Sequence, residues 1–362
     1  MSAVFRAPTR IVAGLGALAD TAAELDRLGA RRVVVVADRG LERIGALASI
    51  LAATGAEERV VATVLADVNP APGPVEEAAA LARAAGAEAV LGIGGGSGLG
   101  AAKAVAVLLR NDVPLLSLEG ADRAAHAPAP TVAIPTTAGS GSEVSNALVL
   151  HEPGLVREIV VRGVGYEPRT AILDATVLRG LPRAPLVFAA LDALTHALEA
   201  LWARGASAFT DACALHAGAE IVDVLPTAAR GADDGGNVAG ANDAILQRLL
   251  EASALANLAC GDSGLALVHA LSSSPAVELP HVARFNRDVL GSEGRALADA
   301  LPGLYARLGF AARFADGAAD VEAMLAASTG HVFRANNRRP SADDELRTLL
   351  REAGAADAVL AR

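Results

Sequence analysis

The sequence predicts an α/β protein in which a parallel sheet with helices on both faces is followed by a domain of helices alone. Three observations support this fold class. Short apolar runs alternate with helix-period segments in the first half of the chain, and two of these runs end in glycine-rich or hydroxyl-rich loops. The second half carries only helix-period segments. We therefore expect one domain at residues 1–180 and a second at residues 181–362.

The strands of the first domain are predicted from short, continuous apolar runs, which are typical of buried parallel strands. The predicted strands are Arg32–Ala37, Val60–Leu65, Ala89–Ile93, Pro114–Leu118 and Thr131–Ile134. Helical periodicity lies between them, at about residues 41–53, 74–85 and 97–109.

The second domain is predicted from long segments with a period of 3.6 residues and without strand-like alternation. The predicted helices are Leu186–Arg204, Phe209–Leu225, Ala244–Leu258, Gly294–Leu308 and Asp343–Ala353.

Composition excludes several classes of protein. Of the 362 residues, 52% are hydrophobic and 20% are charged, which excludes a disordered chain. The net charge of −10 argues against a nucleic-acid partner and against electrostatic attraction to anionic membranes. Two cysteines, Cys213 and Cys260, cannot form a disulfide framework. Because we also find no signal-like apolar segment and no run near the ~18 residues of a membrane span, we expect a cytoplasmic protein.

Two loops that follow predicted strands have the composition of a nucleotide site. Residues 94–97 (GGGS) lie between an apolar strand and a helix, where glycine lets the backbone approach a ligand and the helix start offers N–H groups to phosphate. Residues 135–143 (PTTAGSGSE) offer hydroxyl groups and amides after another strand. A tight turn or a surface loop explains either segment alone, but two such loops at one sheet favour a nucleotide site.

A carboxylate and an imidazole lie four residues apart in an apolar helical segment. Asp192 and His196 share one helix face, where burial is costly unless the two groups are paired or bind a metal. A satisfied Asp–His pair is the simpler alternative. His269 and His281 follow later in the chain, and one Asp with two or three His is a ligand set for Fe(II) or Zn(II).

Taken together, these segments resemble the iron-containing (group III) alcohol dehydrogenase family, whose relatives include maleylacetate reductase, glycerol dehydrogenase and dehydroquinate synthase. The resemblance implies a Rossmann-like dinucleotide-binding domain, an all-helical domain and an active site in the cleft between them. The segments that carry it are PTRIVAGLGAL, VVVVADRG, DVNPAP, GIGGGSGLGAAKAVA, AIPTTAGSGSEVS, AILDATVLRGLP, ALDALTHALEAL and ASALANLACGDSGLALVHAL.

The resemblance also implies roles for individual residues. The implied metal ligands are Asp192, His196 and His269, with Fe(II) or Zn(II) as the metal. The implied cofactor contacts are Gly95, Gly96, Ser97, Thr136, Thr137 and Ser142. Asp38 stands where the family places the acid that faces the adenosine ribose, which implies NAD(H) in preference to NADP(H). An ordinary turn or helix-capping residue is the alternative for Asp38.

Four positions depart from the family pattern. Gly100 replaces an Asp, as in maleylacetate reductases, Glu158 replaces a Lys expected near the cofactor, and Ser273 replaces a second His. The spacing of His281 fits the fourth metal ligand, whereas its LPHV and FN context fits a later His that is not a ligand. Both interpretations of His281 stay open at the level of sequence.

The family resemblance implies a metal-dependent, NAD(P)-linked oxidoreductase that interconverts a small alcohol with an aldehyde or ketone, and a homodimer. A maleylacetate reductase-like enzyme is one form of this prediction. The alternatives are a divergent member with lyase-like activity and a nucleotide-binding protein that has lost its metal and its catalysis.

Overall fold

The computed structural model describes residues 4–152, 158–231, 242–271, 274–315 and 318–356. Nine strands are described: β1 Arg10–Ala13, β2 Val33–Asp38, β3 Val60–Ala66, β4 Ala89–Gly94, β5 Gly120–Ala121, β6 Thr131–Pro135, β7 Ala147–His151, β8 Glu158–Arg162 and β9 Thr170–Leu173. The first five helices are α1 Thr21–Arg27, α2 Arg39–Arg43, α3 Ala46–Thr54, α4 Pro72–Ala84 and α5 Gly96–Arg110.

After β9 and a 3-10 turn, the described part of the chain is helical. The helices are α6 Arg183–Trp202, α7 Ala208–Arg230, α8 Asp243–Ser263, α9 Leu267–Leu271, α10 Pro275–Asn286, α11 Ser292–Leu308, α12 Val321–Ser328, α13 Val332–Asn336 and α14 Asp343–Glu352. An N-terminal α/β part followed by a helical part is the predicted fold class, which is confirmed. The division at residue 180 into two domains stays a prediction.

The main sheet is parallel and has the strand order β1-β9-β6-β4-β2-β3. From β2 the chain moves outward to β3 and then returns to the other side of β2 as β4. The strand order therefore reverses between β2 and β4, and ligands of open α/β sheets bind at the carboxyl ends of strands at such a point. Asp38 ends β2 and Gly94 ends β4, so the first glycine-rich loop lies at the reversal.

Helices cover both faces of this sheet because successive strand residues point to opposite sides. Val34 and Val36 of β2 pack with α4 and α5, whereas Val33 and Val35 pack with α1 and α3 on the other face. A smaller sheet of β5, β8 and β7 lies beside α5.

Helix α6 is the central element of the helical part and packs against α7, α8 and α10. Its 20 residues are long and apolar enough to meet the length and composition of a membrane span, contrary to the sequence expectation that no segment would. However, 72% of the 18-residue stretch of α6 that meets this description is buried inside the protein. These are the properties of a core helix.

The strand predicted at Pro114–Leu118 is wrong, because Leu115–Leu118 form a 3-10 turn. The Leu115 N–H donates to the Glu76 carboxylate (2.7 Å) and the Ser117 hydroxyl to the Pro114 carbonyl (2.6 Å). The bond of Ser117 is local, and local bonds of this kind compete with a strand ladder.

Lys103 of α5 is the only lysine in the sequence and is 1% exposed. Its ammonium group donates to the carbonyls of Ser145 (3.2 Å) and Ala147, and so ties α5 to the segment that follows the hydroxyl-rich loop. Burial lowers the Lys103 pKa to about 7, and the nearby Glu143 charge acts against this shift.

We expect Lys103→Met to lower the free energy of unfolding by about 1–3 kcal/mol, since two carbonyls lose their donor. Lys103→Arg should also destabilise the protein, because a larger, planar guanidinium has to fit the same enclosed space. Urea denaturation measures both effects. A Lys103→Met protein as stable as wild type would show that these bonds contribute nothing.

Candidate metal and dinucleotide site

The first glycine-rich loop lies against Asp38 at the end of β2. The Asp38 carboxylate accepts the Gly95 N–H (2.6 Å), and the Gly98 amide also contributes a hydrogen bond. Burial raises the pKa of Asp38, while these two amides lower it. The side chain of Asp38 therefore lies at the start of α5. There it holds the glycine-rich loop in place, and it stays a candidate contact for the ribose.

Ser97 is tied to the end of a third strand, because its hydroxyl accepts the N–H of Asn69, which follows β3 (3.1 Å). The start of α5 thus receives contacts from the ends of two neighbouring strands. A helix N-terminus with backbone N–H groups in this position is suited to a phosphate group.

The hydroxyl-rich loop lies directly beside the glycine-rich loop. The Thr136 N–H donates to the Gly94 carbonyl (3.0 Å). A Cβ at Gly95 would lie 3.1 Å from the Thr137 hydroxyl, and a Cβ at Gly96 would lie 3.0 Å from Ser140. The structure therefore brings together the two loops predicted to bind the cofactor. Ser142, further along the second loop, is buried.

The same hydroxyl-rich loop touches the helical part of the protein. A Cβ at Gly139 would lie 2.8 Å from Ala189 of α6, so this approach requires glycine. Gly141 has φ of +57°, and Asn257 of α8 packs against it and donates to the Ser140 carbonyl (2.7 Å). The loop thus connects the sheet edge to the helix that carries Asp192.

Asp192, His196 and His269 form a compact group. One ligand atom from each residue lies within 4.8 Å of the others. The Asp192 Oδ1 is 3.8 Å from Nε2 of His196 and 3.5 Å from Nε2 of His269, and the two imidazoles stack with centroids 5.0 Å apart. Two imidazole nitrogens and one carboxylate are the donor set of Fe(II) and Zn(II) sites. These residues therefore fit a metal ion.

The electrostatics of the group also suit a cation. Burial raises the pKa of Asp192, but His196 and His269 outweigh burial and lower it. Burial lowers the pKa of His196. Burial also acts to lower the pKa of His269. The negative charges of Glu199 and Asp192, and the hydrogen bonds that His269 makes with them, outweigh burial and raise this pKa to about 10. A divalent cation would take the place of the second ring proton of His269, the one that makes the imidazole positively charged.

The structure does not bring His281 to this group. His281 lies on α10, and its Nε2 is 2.9 Å from the carbonyl of Ala312. This position agrees with the interpretation in which His281 is not a ligand. Ser273 lies outside the described residues. Glu158 is exposed at the start of β8.

Sequence reasoning missed Glu199, whose side chain is completely buried. Its Oε2 lies 2.8 Å from Nδ1 of His269. The spacing in the sequence could have indicated Glu199 as a site residue. Glu199 follows Asp192 by seven residues and His196 by three, and so lies on the same face of α6. Asn257 was missed as well, and its contact with a distant loop has no local signature in the sequence.

Comparison with known proteins agrees with this geometry. Residues 8–175 match the family model described as iron-containing alcohol dehydrogenase, and residues 186–289 match the C-terminal model of the same family. The chain is 33% identical over 288 residues to the probable alcohol dehydrogenase EutG of Salmonella typhimurium, covering 76% of this chain and 69% of that protein.

Two further relatives extend the comparison. The chain is 32% identical over 302 residues to lactaldehyde reductase of Escherichia coli, covering 79% of this chain and 76% of that protein. The solved structure of maleylacetate reductase from Rhizobium sp. strain MTP-10005 superposes with a TM-score of 0.79 at 28% identity, covering 98% of this chain and 99% of that one. The protein is an oxidoreductase that belongs to the iron-containing alcohol dehydrogenase family.

Proposed function

We propose that the protein is a metal-dependent, NAD(H)-linked enzyme that interconverts a small alcohol with an aldehyde or ketone. The observation that carries this proposal is the packing of the hydroxyl-rich loop against α6 at Gly139 and Ala189. That contact supports the proposal, because it brings the hydroxyl-rich loop next to α6, the helix that carries Asp192 and His196. A reaction that needs both a cofactor and a polarised substrate oxygen requires this arrangement.

In the proposed enzyme, Asp192, His196 and His269 hold the metal. When bound, the metal supplies a Lewis acid for the substrate oxygen, and the nicotinamide supplies or accepts the hydride. Asp192 leaves 30% of its side chain exposed, so the group is open on one side to a substrate. The amides of Gly96 and Ser97 bind the pyrophosphate, and Thr136, Thr137 and Ser142 are the proposed contacts of the second loop.

The test is reduction of a panel of aldehydes and ketones with NADH, using protein loaded with Fe(II) or with Zn(II). We expect substrate-dependent NADH oxidation that disappears when a chelator removes the metal. NADH binding without turnover of any carbonyl compound would favour the alternative of a nucleotide-binding protein without catalysis. The proposed homodimer is measured separately by sedimentation.

The proposal includes a preference for NADH over NADPH, because the Asp38 carboxylate repels a 2′-phosphate. Arg39, the neighbouring cation, is held by Asp67 at 2.7 Å. We expect Asp38→Asn, which removes the charge but keeps an acceptor for the Gly95 N–H, to lower the ratio of NADH to NADPH kcat/KM roughly tenfold, about 1.4 kcal/mol.

Asp299→Asn is the matched control for this measurement. It removes the same charge from an exposed ion pair with Arg287 in the helical part. The cofactor ratio should stay unchanged in this variant. If wild type uses NADPH as well as NADH, the role assigned to Asp38 is wrong.

A further inference from the structure

Glu199 is an acid without any exposed surface, located one helical turn beyond His196 on α6. Its carboxylate accepts the N–H groups of Ala266 (2.9 Å) and Val268 (2.6 Å), and that of His269 at 3.3 Å. A buried charge is tolerated when hydrogen bonds replace its hydration. Glu199 therefore fixes the backbone that leads into α9, the short helix that carries His269.

The fourth contact of Glu199 is with the imidazole itself. Oε2 of Glu199 lies 2.8 Å from Nδ1 of His269, and an ionised carboxylate only accepts hydrogen bonds. The proton of the ring therefore lies on Nδ1. The opposite nitrogen, Nε2, is the one that faces Asp192 Oδ1, at 3.5 Å.

We infer that Glu199 is a positioning residue for the metal site: it holds His269 in the Nδ1–H tautomer and directs Nε2 to the metal. This inference rests on the proposed function. A hydrogen bond from the second ring nitrogen to a carboxylate fixes the tautomer and orientation of a metal-binding His, and its loss costs about 10–100-fold in metal affinity. The alternative is that Glu199 only caps the start of α9.

Glu199→Gln separates these roles. Two backbone N–H groups, of Val268 and His269, donate to Oε1, whereas one, of Ala266, donates to Oε2. The amide oxygen of Gln is therefore favoured at the Oε1 position, which leaves its NH₂ group facing Nδ1 of His269. The ring then becomes the acceptor, and its proton moves to Nε2, where it opposes the metal.

The experiment measures Zn(II) affinity by competition with a chelator for wild type, Glu199→Gln and Thr195→Val. Thr195 is buried next to His196, and its hydroxyl donates to the Leu191 carbonyl (2.8 Å), so its loss perturbs α6 without touching the imidazole of His269. We expect Glu199→Gln to bind Zn(II) about 10–100-fold more weakly, and Thr195→Val to stay within about twofold of wild type. Glu199→Asp, which keeps a carboxylate, should bind more tightly than Glu199→Gln.

A spectroscopic measurement on wild type does not depend on whether a variant folds. In Zn(II)-loaded protein with ¹⁵N-labelled histidine, His269 should carry its proton on Nδ1 and bind Zn(II) through Nε2. Zn(II) on Nδ1, or a Glu199→Gln affinity within about twofold of wild type, overturns the inference and leaves the proposed function standing. Wild type that takes up neither Zn(II) nor Fe(II) overturns both.

Discussion

Replacing Asp192, His196 or His269 by Ala should each abolish metal retention and lower kcat/KM by roughly 10³-fold or more. In the proposed function a bound metal would stabilise charge at the substrate oxygen by several kcal/mol, and each 1.36 kcal/mol is a factor of ten in rate. The three ligand atoms lie within 4.8 Å of one another, so loss of any one leaves only two donors. Metal content after gel filtration and steady-state kinetics measure the two effects.

His281→Ala is the matched control, since it removes an imidazole that bonds to the Ala312 carbonyl outside the group. This variant should keep its metal and lose about 1 kcal/mol of stability, the value of one hydrogen bond. Loss of metal from His281→Ala would show that His281 is a ligand after all. Retention of metal by all three Ala variants would show that the pairing of carboxylate and imidazole on α6 is structural.

Gly96→Val should weaken NADH binding by at least about 100-fold, or about 2.7 kcal/mol, while bound metal stays unchanged. A Cβ at Gly96 would already lie 3.0 Å from both the Cβ and the Oγ of Ser140, so the larger side chain separates the two loops. In the proposed function it would also occupy the space through which a pyrophosphate approaches the backbone N–H groups. Fluorescence titration with NADH measures the affinity.

Gly73→Val gives the control for this substitution. Gly73 lies in α4, and a Cβ there would have no atom within 4 Å. We expect NADH affinity close to wild type in that variant. Undiminished NADH binding by Gly96→Val would mean that the loop at the start of α5 is not a cofactor site.

The regular parts of the fold were predictable because local pattern and final environment agree. Continuous apolar runs such as residues 33–37 of β2 are buried on both faces of the parallel sheet, and long 3.6-period segments such as Arg183–Trp202 form the helical core. The strands that were not predicted are β1, β5, β7, β8 and β9. Strand β8 has only five residues, Glu158–Arg162, and its pairing with β7 depends on tertiary contact.

Helix α10 was missed for a different reason, because it contains Pro280 within its length. Proline usually interrupts a helix, so sequence alone argues against it. In the site, the spacing of Asp192 and His196 was readable because both lie on one helix. The contact of Glu199 with His269 joins residues seventy positions apart and follows only from the packing of α6 against α9.

The central claim is that Asp192, His196 and His269 hold one divalent metal ion. The most direct test is metal analysis of wild-type protein purified anaerobically without chelators and then reconstituted separately with Fe(II) and Zn(II). The account predicts one metal ion per chain, and metal-dependent oxidation of NADH by a carbonyl compound. Protein that binds NADH but retains no divalent metal under any reconstitution condition would contradict it.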